Sequence, residues 1–167
     1  MPLLDLLAGL EHTKLAEWVQ ADALAFPVLE GTHVVSVALV FGSIAMLDLR
    51  LLGLQSKHLP VTRISDEVLP WTWAGFVVAV ITGGLLFVAQ ASAYLANREF
   101  VLKMVLLALA GVNLAVFHVL TWSKVKEWNE RATPPVAARA AALLSLGLWM
   151  GVVISGRWIG WTLIAGF

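Results

Sequence analysis

The 167-residue chain is 60% hydrophobic and 13% charged, against roughly 45–50% apolar and about 25% charged residues in an ordinary soluble domain, so a water-soluble globule is excluded. It has no cysteine, which removes disulfide scaffolds, thiolate zinc sites, iron–sulfur clusters and thiol nucleophiles. Eleven Lys and Arg balance eleven Asp and Glu, leaving no net field to attract nucleic acid.

Residues 2–20 place Leu3, Leu4, Leu6, Leu7, Leu10, Leu15 and Trp18 among Asp5, Glu11, His12, Lys14 and Glu17. That pattern predicts an amphipathic helix lying on a membrane interface. Asp5 and Glu11 argue against a signal peptide. Four apolar segments follow, each close to the roughly 20 residues a helix needs to cross the hydrocarbon core. The expected spans are 24–50, with Glu30 and His33 inside it; 68–96, uncharged and with Pro70 near its start; 102–123, bounded by Lys103 and Lys124; and 137–163, interrupted by Arg157. Gly53, Pro60, Asn97 and the Thr133-Pro134-Pro135 run mark the connections. The expected fold is all-α, a single integral membrane four-helix bundle over 1–167.

Seven Lys and Arg (Arg50, Lys57, Arg63, Lys124, Lys126, Arg131, Arg139) flank the first and third connections, against four (Lys14, Arg98, Lys103, Arg157) on the other side. The positive-inside rule then predicts both termini on the periplasmic or exterior side, and a bacterial inner membrane is the simplest home for such a chain. Gly147, Gly151 and Ser155, with Gly156 and Gly160 on an adjacent face, predict close helix approach in the last span, within the chain or in a homodimer.

Ionisable groups inside a span are costly and need an explanation. Glu30 and His33 are three residues apart on one helical face, and the stripe continues through Val37 and Phe41 to Asp48. His118 shares its face with Gly111, Ala115 and Thr121, a strip of small residues on which a flat macrocycle could lie. Imidazole is a common axial ligand of haem iron and helical bundles hold cofactors between facing helices, so His33 and His118 are candidate ligands of haem b. Counting from the span boundaries puts these two at depths differing by about 6 to 13 Å. One shared haem needs tilted helices or the smaller offset; otherwise there are two sites, an outer one at His33 with His12 and an inner one at His118 with His58 as lesser ligands. Arg157 is read as a partner of Glu30 or of a haem propionate, and Asp48 with Arg50 as an interfacial pair ending the first span. Copper at His33 is the alternative metal. No metalloprotease helix, phosphate loop or nucleophile elbow is present in the sequence.

The segments 30–35, 48–53, 69–76, Phe117-His118 and Gly156-Arg157-Trp158 resemble those of a bacterial family of small four-span membrane proteins described as a domain of unknown function. The resemblance runs from about Phe26 to Trp161. The layout is also loosely similar to b-type cytochromes of the cytochrome b561 kind and to copper-resistance membrane proteins. That similarity implies haem ligation by His33 and His118. It departs from a two-haem b561 core, because the second and fourth spans contain no His.

The leading expectation is a haem b membrane protein passing electrons between a quinone and a partner protein, a membrane subunit rather than a stand-alone enzyme. The alternatives are a proton or copper transport subunit with Glu30, His33, Asp48 and Arg157 along its path, and an assembly or anchor subunit with no cofactor.

Overall fold

The computed structural model describes the backbone of residues 2–165 and the side chains of 7–163. Where one interfacial helix was expected there are two, α1 (Pro2–Glu11) and α2 (Lys14–Ala21). Thr13 separates them. Its backbone is extended and its hydroxyl accepts from Ala16 N at 3.3 Å, the competition with helical bonding that makes threonine a helix start. Leu7, Ala16 and Val19 are buried while Leu15 and Trp18 face outward; the side chains of Leu3, Leu4, Asp5 and Leu6 lie outside the described residues.

The four long helices are α3 (Ala25–Leu51), α4 (Val61–Ala89), α6 (Arg98–Val116) and α7 (Val136–Ala165). All four are long and apolar enough to cross a membrane, α6 doing so together with the residues that follow it up to Leu120. Asp22 caps α3 by accepting from Leu24 N and Ala25 N. Gly53, at φ +71, lets the chain turn back on the helix end, with Gly53 N donating to Arg50 O and Leu54 N to Leu49 O.

Helix α4 begins seven residues before the expected span. Its first two turns carry the Arg63–Glu67 ion pair on their exposed face, and Asn129 caps its start by accepting from Val61 N and Thr62 N. The charged residues 63–67 are therefore helical outside the apolar stretch. At the other end Gln90 breaks the helix (φ −145, ψ 46) and the short α5 (Ala91–Ala96) follows, so the second span stops at Ala89 instead of Ala96. Asn97 then caps α6, accepting from Glu99 N and Phe100 N. After Val116 the helix widens into a π-turn (Phe117–Thr121) and tightens into a 3-10 segment (Trp122–Glu127).

The chain forms two hairpins, α3–α4 and α6–α7, joined mainly where α3 packs on α7, while the α4 and α6 backbones stay apart and meet through the stacked rings of Phe87 and Phe100, 5.5 Å between centroids. We call the end carrying α1, α2 and α5 the upper end, and the end carrying connections 52–60 and 122–135 the lower end. The α3 and α4 backbones come close at Gly75 of α4. A Cβ there would lie 3.1 Å from Val40 Cγ2 and 3.2 Å from Ser36 O, which fixes the α3–α4 seam. Of the glycines of α7, Gly151 has the expected close neighbour within the chain, since a Cβ there would stand 2.9 Å from Leu106 Cδ1 of α6; Gly156 and Gly160 have Lys103 and Glu30 at the ordinary distances of 3.7 and 3.9 Å, and Gly147 meets nothing. A buried apolar cluster of Leu51, Val61, Phe117, Trp128, Ala138 and Ala142 closes the lower end.

Candidate functional site

Between the two hairpins lies a mostly apolar cavity of about 1550 Å³, at or above the upper end of the usual range for cofactor and ligand sites. Its size follows from the packing, because the α4 and α6 backbones do not close on each other. Glu30, His33, Lys103 and Arg157 line its upper part and Asp48 and His118 its lower part.

His33 is held from three sides. Its Nδ1 lies 3.0 Å from Ala79 O and 3.1 Å from Thr82 Oγ1. A carbonyl oxygen only accepts, so Nδ1 carries the proton and donates it; the Thr82 hydroxyl itself donates to Val78 O at 2.7 Å. Gly83 lets α4 come against the ring, since a Cβ there would stand 2.8 Å from His33 Cε1. The lone pair is then on Nε2, on the side that meets Lys103, whose Nζ is 3.4 Å away. Gly156 of α7 lies beneath the Lys103 tip, its nearest contact an ordinary 3.7 Å. One group from each of the four long helices therefore meets at this point.

Lys103 is the residue that reading the sequence missed. It was taken for the outer boundary of the third span, yet Asn97 already starts the helix and Lys103 is six residues into it. The cap at Asn97, with Glu99 in the first turn, was the signal that could have found it. Moving the start of α6 changes the depth comparison. His118 is 15 residues, or about 22 Å of helix axis, below Lys103, and Lys103 is at the level of His33. The offset between the two histidines is thus larger than the boundary count suggested, and the structure does not bring them to a common site. His118 instead sits on the π-turn, exposed, with its ring 5.8 Å from that of Trp122 and 6.0 Å from that of Phe117. Gly111 borders the cavity with open space beside it.

Two expected pairs are replaced. Asp48 and Arg50 do not pair, because residues two apart on a helix point to nearly opposite faces. Arg50 is fully buried and turns to the connections, donating from Nε to Leu59 O at 2.9 Å and from Nη2 to Arg131 O at 3.0 Å. Asp48 is buried on the cavity side. Glu30 and Arg157 do not pair either; the one ion pair among the described residues is Arg63–Glu67. Glu30 reaches Gly160, almost one turn above Arg157, and lies near Tyr94, whose hydroxyl is pushed above its ordinary value first by burial and then by the Glu30 carboxylate. Lys103 and Arg157 are thus two cations beside the cavity with no carboxylate in ion-pair range among the described residues.

His12 and His58 are exposed, at the end of α1 and in the lower connection 52–60. Among the described residues no three His, Asp or Glu side chains converge as a metal site would require.

Residues 24–162 match the family of unknown function DUF6644. The chain belongs to that family. The match covers all four long helices except the last residues of α7, and the His33–Lys103 contact lies within the DUF6644 region. No curated protein and no solved structure matches the chain.

Proposed function

We propose that this DUF6644 protein binds b-type haem in the cavity between its hairpins, with His33 as an axial ligand, and passes electrons between a membrane quinone and a partner protein. The observation that carries the reading is the orientation of His33. An imidazole whose Nδ1–H is fixed on a backbone carbonyl presents Nε2 in a set direction, the arrangement that orients metal-ligating histidines. The cavity beside it is large and apolar, and Lys103 and Arg157 supply the charge that carboxylate groups of a bound macrocycle need. Lys103 reaches Nε2 through a flexible four-carbon stem, so its ammonium is free to leave the imidazole for such a carboxylate. Haem, when bound, would supply one-electron chemistry; the chain holds, orients and shields it. The Lys and Arg bias toward the lower end supports a bacterial inner membrane setting with both termini periplasmic.

The test is a reduced-minus-oxidised visible spectrum of the detergent-purified protein, produced with ample haem, with haem quantified per chain. An α-band that is lost in His33→Ala and kept in His118→Ala is the expected result. A haem-free protein, or a band that survives His33→Ala, would overturn the reading.

A further inference from the structure

The lower half of the cavity contains a carboxylate that the haem reading does not use. Asp48 is 5% exposed, and its Oδ2 is buried with no hydrogen-bond partner. No Lys, Arg or His nitrogen among the described residues lies in ion-pair range of it. Arg50, the nearest cation in sequence, is committed to Leu59 O and Arg131 O on the other side of the helix.

What does face the same space is neutral oxygen. Ser145 of α7 lines this cavity together with Asp48. Ser65 of α4 lines the same cavity. So does Asn113 of α6, whose amide donates to Ala141 O at 3.0 Å and so leaves Oδ1 free to accept. Ser43 and Thr72 are already bonded to each other, at 2.8 Å. The titratable groups facing this cavity from the packed elements, besides Asp48, are His118 on the π-turn, at the lower end, and Glu30, His33, Tyr94, Lys103 and Arg157 at the upper end. His33 is 15 residues up α3, about 22 Å away.

An isolated buried carboxylate is costly unless a counter-charge is held with it. One carboxylate among neutral oxygens suits a single positive charge. Calcium would demand six to eight oxygen ligands, and magnesium near-ideal octahedral geometry. We infer that Asp48, with the Ser145 hydroxyl, is the acidic group of a monovalent-cation site at the lower end of the cavity, occupied by a proton or by an alkali ion. The site is separate from His33 and stands or falls without haem.

The experiment uses the full chain in detergent, haem-loaded or haem-free. Thermal unfolding is followed in sodium, potassium or choline chloride at equal ionic strength and pH, and infrared difference spectra are taken across a pH titration, for the native protein, Asp48→Asn and Ser145→Ala. If the ion is sodium or potassium, that salt raises the unfolding temperature of the native protein and the rise is lost in Asp48→Asn. If it is a proton, the three salts act alike and a protonated-carboxyl band grows in with titration and is lost in Asp48→Asn. Should Asp48→Asn fail to fold, Ser145→Ala must weaken the ion-specific rise or shift the carboxyl band. A native protein with neither response, or a Ser145→Ala protein identical to it, would overturn the site.

Discussion

The ammonium of Lys103 stands 3.4 Å from Nε2 of His33, an amine from α6 against the lone pair of an imidazole that α4 has already oriented through Ala79 O. The contact joins the two hairpins across the cavity. Under the haem proposal it also places a positive charge beside the ligating nitrogen of His33.

Replacing Lys103 with Met keeps the length of the side chain and removes the charge. In the haem-loaded protein the midpoint potential should move to a more negative value, because a nearby cation favours the reduced, less positive form. A redox titration of native and Lys103→Met protein checks this; an unchanged potential would separate Lys103 from the cofactor.

Gly83→Ala should destabilise the fold by about 1–3 kcal/mol, because the new Cβ would meet the His33 ring at 2.8 Å and that ring is pinned by Ala79 and Thr82. Gly84→Ala is the control. It meets nothing within 4 Å and removes a helix glycine, so it should be neutral or stabilising by up to about 1 kcal/mol. Thermal unfolding of both variants gives the comparison.

Arg50→Leu should cost about 3 kcal/mol or more, since two bonds from a charged donor are lost and the carbonyls of Leu59 and Arg131 are left without them. Arg50→Lys should not restore stability, because an ammonium cannot span two diverging carbonyls as a guanidinium fork does. Faster proteolysis of connections 52–60 and 122–135 in both variants is the expected readout.

Glu11 caps α5 by accepting from Ser92 N at 2.7 Å, and that bond holds its carboxyl below the ordinary glutamate value. A group lowered in the folded state stabilises at pH above its unfolded value and stops doing so as pH falls through its folded value. The amides of α5 should therefore exchange faster as pH is lowered through the carboxylate range, after correction for the intrinsic rate. Glu11→Gln should show the faster exchange already at neutral pH and no such titration.

The four spans were legible because hydrocarbon imposes one solution on a polar backbone, and the apolar runs around Val40, Val78, Leu109 and Val152 are long enough to adopt it. The polar stripe of α3 was legible too, since Glu30, His33 and Asp48 follow helical spacing and all three line the cavity. Spacing could not say where each helix starts relative to its neighbours. Lys103 looks like a membrane boundary because lysines usually are, and the local sign against it, Asn97 followed by Glu99, is a cap signal whose backbone conformation (φ −81, ψ 119) only the structure establishes. The breaks at Thr13 and Gln90 were hidden for the same reason.

The sequence by itself determined the class, a four-helix membrane bundle, and the few polar residues that must face inward, because burial in lipid is a property of each segment alone. The tertiary structure decided which of those residues meet. It set His33 beside Lys103 and about 22 Å from His118, gave Arg50 the carbonyls of Leu59 and Arg131 as partners, and left a cavity between hairpins that touch chiefly through α3 and α7. Those outcomes depend on helix register and on which pairs of helices approach closely, and register is fixed only when side chains from different helices, such as Gly75 against Val40 and Gly83 against His33, occupy the same space.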